Sequence, residues 1–211
     1  MSAEEDRSVT YGVVVPGRPT GVLADVWGRS VVRDVILVAG AASAVGLAAQ
    51  ISIPVPGSPV PITGQTFAVV LAGATLGASR GAVAMLVYAI AGALGVPWFA
   101  GGTAGWPAAT GGYLVGFILA AALAGQLAAL GADRKPVHTV GLMAAANALI
   151  YLFGVPWLAF ATGMDLAAAA SAGLIPYLIG DVLKTGLAAA LLPGAWNLVG
   201  RRASAAPDRR L

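Results

Sequence analysis

Apolar positions along this chain gather into six blocks, separated by glycine, proline or charged residues, at 35–53, 64–79, 81–97, 112–132, 137–160 and 168–192. Against the roughly 20 residues needed to span hydrocarbon, all six read as transmembrane helices, with the second short for a full crossing. The short block follows PVPGSPVPITG (54–64), whose prolines prevent regular helix. This uncharged loop is expected to fold back and supply the missing depth. Non-helical backbone at that depth is tolerated only where protein or a water-filled cavity covers it, which points to a binding cavity on that side.

Composition sharpens the reading. With 58% hydrophobic residues, 10% charged and a mean hydropathy of +0.84 over 211 residues, the chain is too apolar for a soluble globule and too long for a single anchor. The predicted fold is an all-α integral membrane protein of six transmembrane helices embedded in a lipid bilayer. Three regions are expected: a polar cytoplasmic arm at 1–34, a six-helix membrane domain at 35–193 and a basic cytoplasmic tail at 194–211. The arm carries Glu4, Glu5 and Asp6 and lacks an apolar core with a small-residue cleavage site, so it does not read as a secretory signal.

Charge sets the orientation. Eleven of the 12 basic residues fall before the first block, after the sixth, or in the connections 2–3 and 4–5, among them Arg80, Arg134 and Lys135. The other connections, 54–63, 98–111 and 161–167, hold none. Lys and Arg are retained in short cytoplasmic loops, so both termini are predicted on the cytoplasmic side of the cell membrane, with the first and second outer loops capping a ligand cavity. Trp98, Trp106 and Trp157 fit the outer interface, and Trp27 and Trp196 the inner one.

The twelfth basic residue is Lys184, three positions after Asp181 in IPYLIGDVLKTGLAAALL (175–192). Ionisable groups at membrane depth cost several kcal/mol if unpaired, so both should face the bundle interior on one helix face. They read either as a self-neutralising staple or as a ligand or ion site. Asn147 and Tyr151, four apart, share a face, Asn147 serving either an interhelical hydrogen bond or a ligand. Thr63, Gln65 and Thr66 open the second helix beneath the proline loop, where they either cap it or reach a ligand. The outer loop PWFAGGTAGWPAATGGY (97–113), with Trp98, Phe99 and Tyr113, combines aromatics with glycines as a lid over an apolar pocket would. Gly40, Ala44 and Ala48 form a ridge on the first helix that serves either packing within the bundle or a second membrane protein.

Several functions are disfavoured. Without cysteine and with one histidine, His138, the chain offers no thiolate or histidine-cluster metal site. No Lys-Ser or Lys-Thr follows the glycine-rich loop, so no nucleotide site is expected, and no nucleic-acid partner either. Paired carboxylates and Ser-His arrangements at one depth are missing, which argues against an intramembrane enzyme. A proton-coupled secondary transporter titrating Asp181 is the alternative, although no inverted repeat links the two halves.

The segments PVPITGQTFAVVLAGATLGASRGA (59–82), YAIAGALGVPWFAGGTAG (88–105), TGGYLVGF (110–117) and PYLIGDVLK (176–184) resemble, in order, the BioY group of substrate-binding S components of energy-coupling factor (ECF) transporters. The resemblance runs from about residue 35 to 193. Ala109 stands where the family usually has proline, and Gly64 replaces a bulkier residue. What the resemblance implies is a subunit that captures biotin with high affinity, needs no cofactor and is not itself an enzyme. A partner membrane subunit and a pair of cytoplasmic ATPases would supply ATP hydrolysis, with Gly40, Ala44 and Ala48 resembling the family's docking surface. In the expected pose, Asp181 accepts ureido N–H bonds, Lys184 donates to the ureido carbonyl with Asn147 assisting, and Trp98, Phe99 and Tyr113 cover the rings. The opposite pose, with Lys184 on the carboxylate tail, stays open at this point.

Overall fold

A computed structural model describes residues 21–27 and 30–205. The arm positions Glu4, Glu5, Asp6, Arg7, Arg18 and Arg29, and the tail arginines Arg209 and Arg210, lie outside the described residues, as do the side chains of Trp27 and Arg202.

A 3-10 turn at Leu23–Trp27 precedes α1 (Val31–Gln50). Two short strands, β1 (Ser52–Ile53) and β2 (Ile62–Thr63), then pair antiparallel with Ser52 opposite Thr63. The proline loop is thereby closed into a ribbon that leads directly into α2 (Gln65–Leu76). Gly77, at φ 89°, turns the chain into α3 (Ala78–Ala93). The rest is α4 (Gly111–Ala129), α5 (Pro136–Thr162), α6 (Leu166–Gly173) and α7 (Leu178–Ala205).

Among the described residues, four helical runs are long and apolar enough to cross a membrane: α1, α4, α5 and the α6–α7 stretch Leu166–Arg201. The second and third blocks form the shorter apolar helices α2 and α3. The third stops at Ala93 rather than 97, because Gly95 at φ 114° and Pro97 cannot extend it. The expected helix over 168–192 is two helices. Pro176 occupies a 3-10 turn at Ile175–Tyr177 that separates α6 from α7, and α7 then runs past Pro193 to Ala205.

The bundle is built around α4, which packs against α2, α3 and α5. Its small residues permit that approach, since membrane helices associate through close van der Waals contact rather than a hydrophobic driving force. A Cβ on Gly116 would lie 2.8 Å from Ile150 Cα, and one on Gly73 of α2 would collide with the backbone of Ala121. Large apolar side chains point outward on several helices, including Ile36 and Leu47 on α1, Leu152 on α5 and Val182 and Leu183 on α7. That surface suits lipid.

One end of the bundle is polar. Arg80 reaches Asp25 at 3.0 Å and Asp34 at 3.1 Å, and the Arg134 guanidinium donates to Gly21 O at 3.2 Å. Val22, Leu23 and Ala24 are buried there, so the described part of the arm is packed against the bundle. In the α4–α5 connection Asp133 is fully buried, accepting from the Trp196 indole at 2.6 Å while Arg134 stacks over that ring at 4.5 Å. Burial pushes the Asp133 carboxyl above its usual range, with the Trp196 bond opposing the shift.

Candidate functional site

At the opposite end, the ribbon, the loop after α3 and the starts of α4 and α7 enclose a cavity of about 290 Å³. Asp181 and Lys184 are the charged residues that line it. Asp181 lies in the first turn of α7. Its Oδ2 accepts the Tyr151 hydroxyl at 2.5 Å, and its Oδ1 stands 3.6 Å from Lys184 Nζ. That Oδ1 is buried without a hydrogen bond. Lys184 Nζ in turn donates to Thr66 Oγ1 at 2.8 Å, which extends the polar strip from α5 through α7 to α2.

Around this strip the walls are apolar or neutral. Pro59, Val60 and Pro61 come from the ribbon loop, Phe99 and Ala100 from the loop after α3, and Tyr113, Leu114 and Phe117 from α4. Glycines seat the aromatics: the Phe99 ring occupies the place of a side chain at Gly92, and Tyr113 fills space beside Gly154 and Gly173, donating to Gly173 O at 2.7 Å. Tyr177 holds the ribbon down by donating to Val60 O, with Ser58 Oγ 3.2 Å from its hydroxyl. Gln65 is engaged at both ends of its amide, accepting from Thr63 Oγ1 at 2.9 Å and donating to Tyr88 Oη at 2.6 Å. The threonine and glutamine thus brace the wall as well as line it.

Seven of the nine residues singled out for ligand contact line the cavity: Asp181, Lys184, Tyr151, Tyr113, Phe99, Gln65 and Thr63. Trp98 and Asn147 are not among the lining residues. The Trp98 indole instead lies against Gly46 of α1 and donates to Tyr88 O at 3.0 Å, which pins the loop to α1 and α3. Asn147 sits one turn deeper than Tyr151 along α5, buried with Oδ1 unpaired. On α1, Gly40 and Ala44 are exposed and nothing approaches a Cβ placed on Gly40. Ala48 is turned inward, its carbonyl accepting from Gly64 N at 3.1 Å. A Cβ on Gly64 would meet that carbonyl at 2.8 Å, so a glycine fits where the ribbon crosses α1.

Compared with known proteins, residues 20–201 match the sequence model of the BioY family. The chain belongs to the BioY family. Among its BioY relatives, the probable biotin transporter BioY of Pyrococcus horikoshii is 38% identical over 159 residues, covering 74% of this chain and 91% of that protein. The biotin transporter BioY of Rhizobium etli is 36% identical over 172 residues, covering 75% and 90%. The crystal structure of an S component for biotin from an ECF-type ABC transporter superposes with a TM-score of 0.68, covering 84% of this chain and 95% of that one. At 20% identity, that superposition speaks for a shared fold.

Lining residues of this BioY chain that sequence reasoning left unselected are chiefly Tyr177, Phe117 and Ile150, while Thr66, read there as either a helix cap or a ligand contact, does line the cavity. Tyr177 precedes Asp181 by four positions and Phe117 follows Tyr113 by four, the spacing of a shared helix face. That signal was present in the sequence for both.

Proposed function

We propose that this chain is the substrate-binding subunit of a biotin uptake system in the cytoplasmic membrane, driven by ATP hydrolysis in partner subunits. Six crossings are assigned, α2 with its ribbon and α3 among them, with both termini cytoplasmic and the cavity open to the outside. The asymmetry of basic residues supports that sidedness, since the loops around the cavity carry none. The exposed Gly40 and Ala44 on α1 offer a smooth face for a membrane coupling subunit, which would join the chain to a pair of cytoplasmic ATPases.

The observation that carries the ligand reading is Asp181 Oδ1, a buried acceptor without a hydrogen bond beside an ammonium group in an otherwise neutral cavity. A ureido group complements it, offering two N–H donors and one carbonyl acceptor on adjacent atoms. Asp181 Oδ1 accepts from one ureido N–H, and Lys184, freed from part of its contact with Thr66, donates to the ureido carbonyl. Such charge-assisted bonds away from water are strong, and a ligand lacking the ureido leaves Asp181 Oδ1 without a hydrogen bond. Tyr113, Phe117 and Phe99 then flank the fused rings. A volume of about 290 Å³ is at the small end of ligand pockets, roughly 300–1,000 Å³, as a compact vitamin requires.

The test is uptake of labelled biotin by cells expressing the chain with and without ATPase partners. Accumulation that requires those partners supports the assignment. Accumulation without them that collapses with the proton gradient would favour the secondary-transporter alternative, with Asp181 as its titrating group.

A further inference from the structure

The cavity is charged at one end only. Asp181 and Lys184 already neutralise each other, so a carboxylate brought to Lys184 would leave two anions around a single cation 3.6 Å from the first. A ligand acid is therefore better placed away from the pair, toward the loops. Those loops offer no countercharge: the lining residues Pro59, Pro61, Thr103, Pro107, Ala109 and Thr110 are neutral. In residues 51–64, 94–110 and 161–167 the one charged residue is Asp165, an anion that caps α6 by accepting from Ala168 N at 2.8 Å.

We infer that the site selects the ureido end of its ligand and is indifferent to the charge of the tail, so that tail-amidated and tail-extended biotins are bound as ligands. This rests on the biotin reading above. A neutral donor near the loops is the Thr110 hydroxyl, which bonds an amide carbonyl as well as a carboxylate oxygen. Helix-dipole attraction favours the acid there by only about two- to fivefold. A carboxylate gripped by a dedicated cation would lose about tenfold or more on amidation. A positively charged tail meets no cation at the loops, so its charge is not opposed there.

The experiment is competition against labelled biotin on the purified full-length chain, using biotin, its primary amide and its N-(2-aminoethyl) amide. Dissociation constants for both amides within about tenfold of biotin are expected. If biotin binds tightly and either amide is more than about tenfold weaker, the tail is read by charge and the inference fails alone. Failure of biotin itself to bind would remove the reading on which the inference rests.

Discussion

The Tyr151 hydroxyl donates to Asp181 Oδ2 at 2.5 Å, while the other carboxylate oxygen has no hydrogen bond and lies 3.6 Å from Lys184 Nζ. One oxygen is thus held by a hydrogen bond and the other only by the nearby ammonium group. Tyr151 fixes the carboxylate's rotation, and Lys184 is aligned by Thr66 from across the cavity. On the proposed function, side chains held in this way before the ligand arrives reduce the ordering cost of binding.

Removing the Tyr151 anchor should weaken ligand binding without abolishing it. Tyr151→Phe retains the ring and deletes the bond to Asp181 Oδ2, leaving a buried carboxylate oxygen unsatisfied. A loss of about 1–3 kcal/mol in biotin binding is expected. Equilibrium binding on the purified variant measures it, and unchanged affinity would show that the carboxylate is oriented by other groups.

Thr66→Val should have a smaller effect. The hydroxyl gives Lys184 a neutral partner at 2.8 Å that the ligand is proposed to replace in part. A change of about 0.5–1.5 kcal/mol is expected. A loss comparable to that from substituting Lys184 itself would mean that Thr66 contacts the ligand directly.

Packing around α4 allows little enlargement. Gly116→Val would press a branched side chain into the Ile150 backbone, and Gly73→Ala would drive a methyl into the Ala121 backbone. Overpacking of this kind costs about 1–3 kcal/mol or more. Thermal unfolding followed by size-exclusion chromatography should show both variants melting below the parent, with Gly73→Ala affected despite its single added carbon.

Asp133 should make stability depend on pH. Burial raises its pKa in the folded protein above the ordinary aspartate value of 3.8. A raised folded pKa means that the contribution is full below about pH 4 and is lost as pH rises through the folded value. Asp133→Asn should therefore flatten the fall in melting temperature over that window. Trp196→Phe, which removes the 2.6 Å bond from the indole, should steepen it.

The charged pair was legible in sequence because ionisable residues inside an apolar run must be paired or functional, and i, i+3 spacing put them on one face. Tyr113 and Phe99 were legible as aromatics in a glycine-rich loop. Trp98 has the same local signature, yet its slot is Gly46, which lies 52 positions earlier on α1 and is brought near only by the fold. Asn147 shares a helical face with Tyr151, but that spacing gives no depth, and the cavity ends above it. The break between α6 and α7 was hidden because apolar residues run on both sides of Pro176, and hydropathy cannot register a turn that stays within an apolar stretch. The shortness of α2 was visible from the prolines before it, whereas the pairing of β1 with β2 was not, since two-residue strands carry no periodicity.

The most direct measurement is calorimetric titration of the detergent-purified chain with biotin, run in parallel on Asp181→Asn and Lys184→Met. Tight binding by the parent, with losses on the order of 2–5 kcal/mol in each variant, is the expected result. Tight binding that survives both substitutions would contradict the central claim and reduce Asp181 and Lys184 to a buried structural pair.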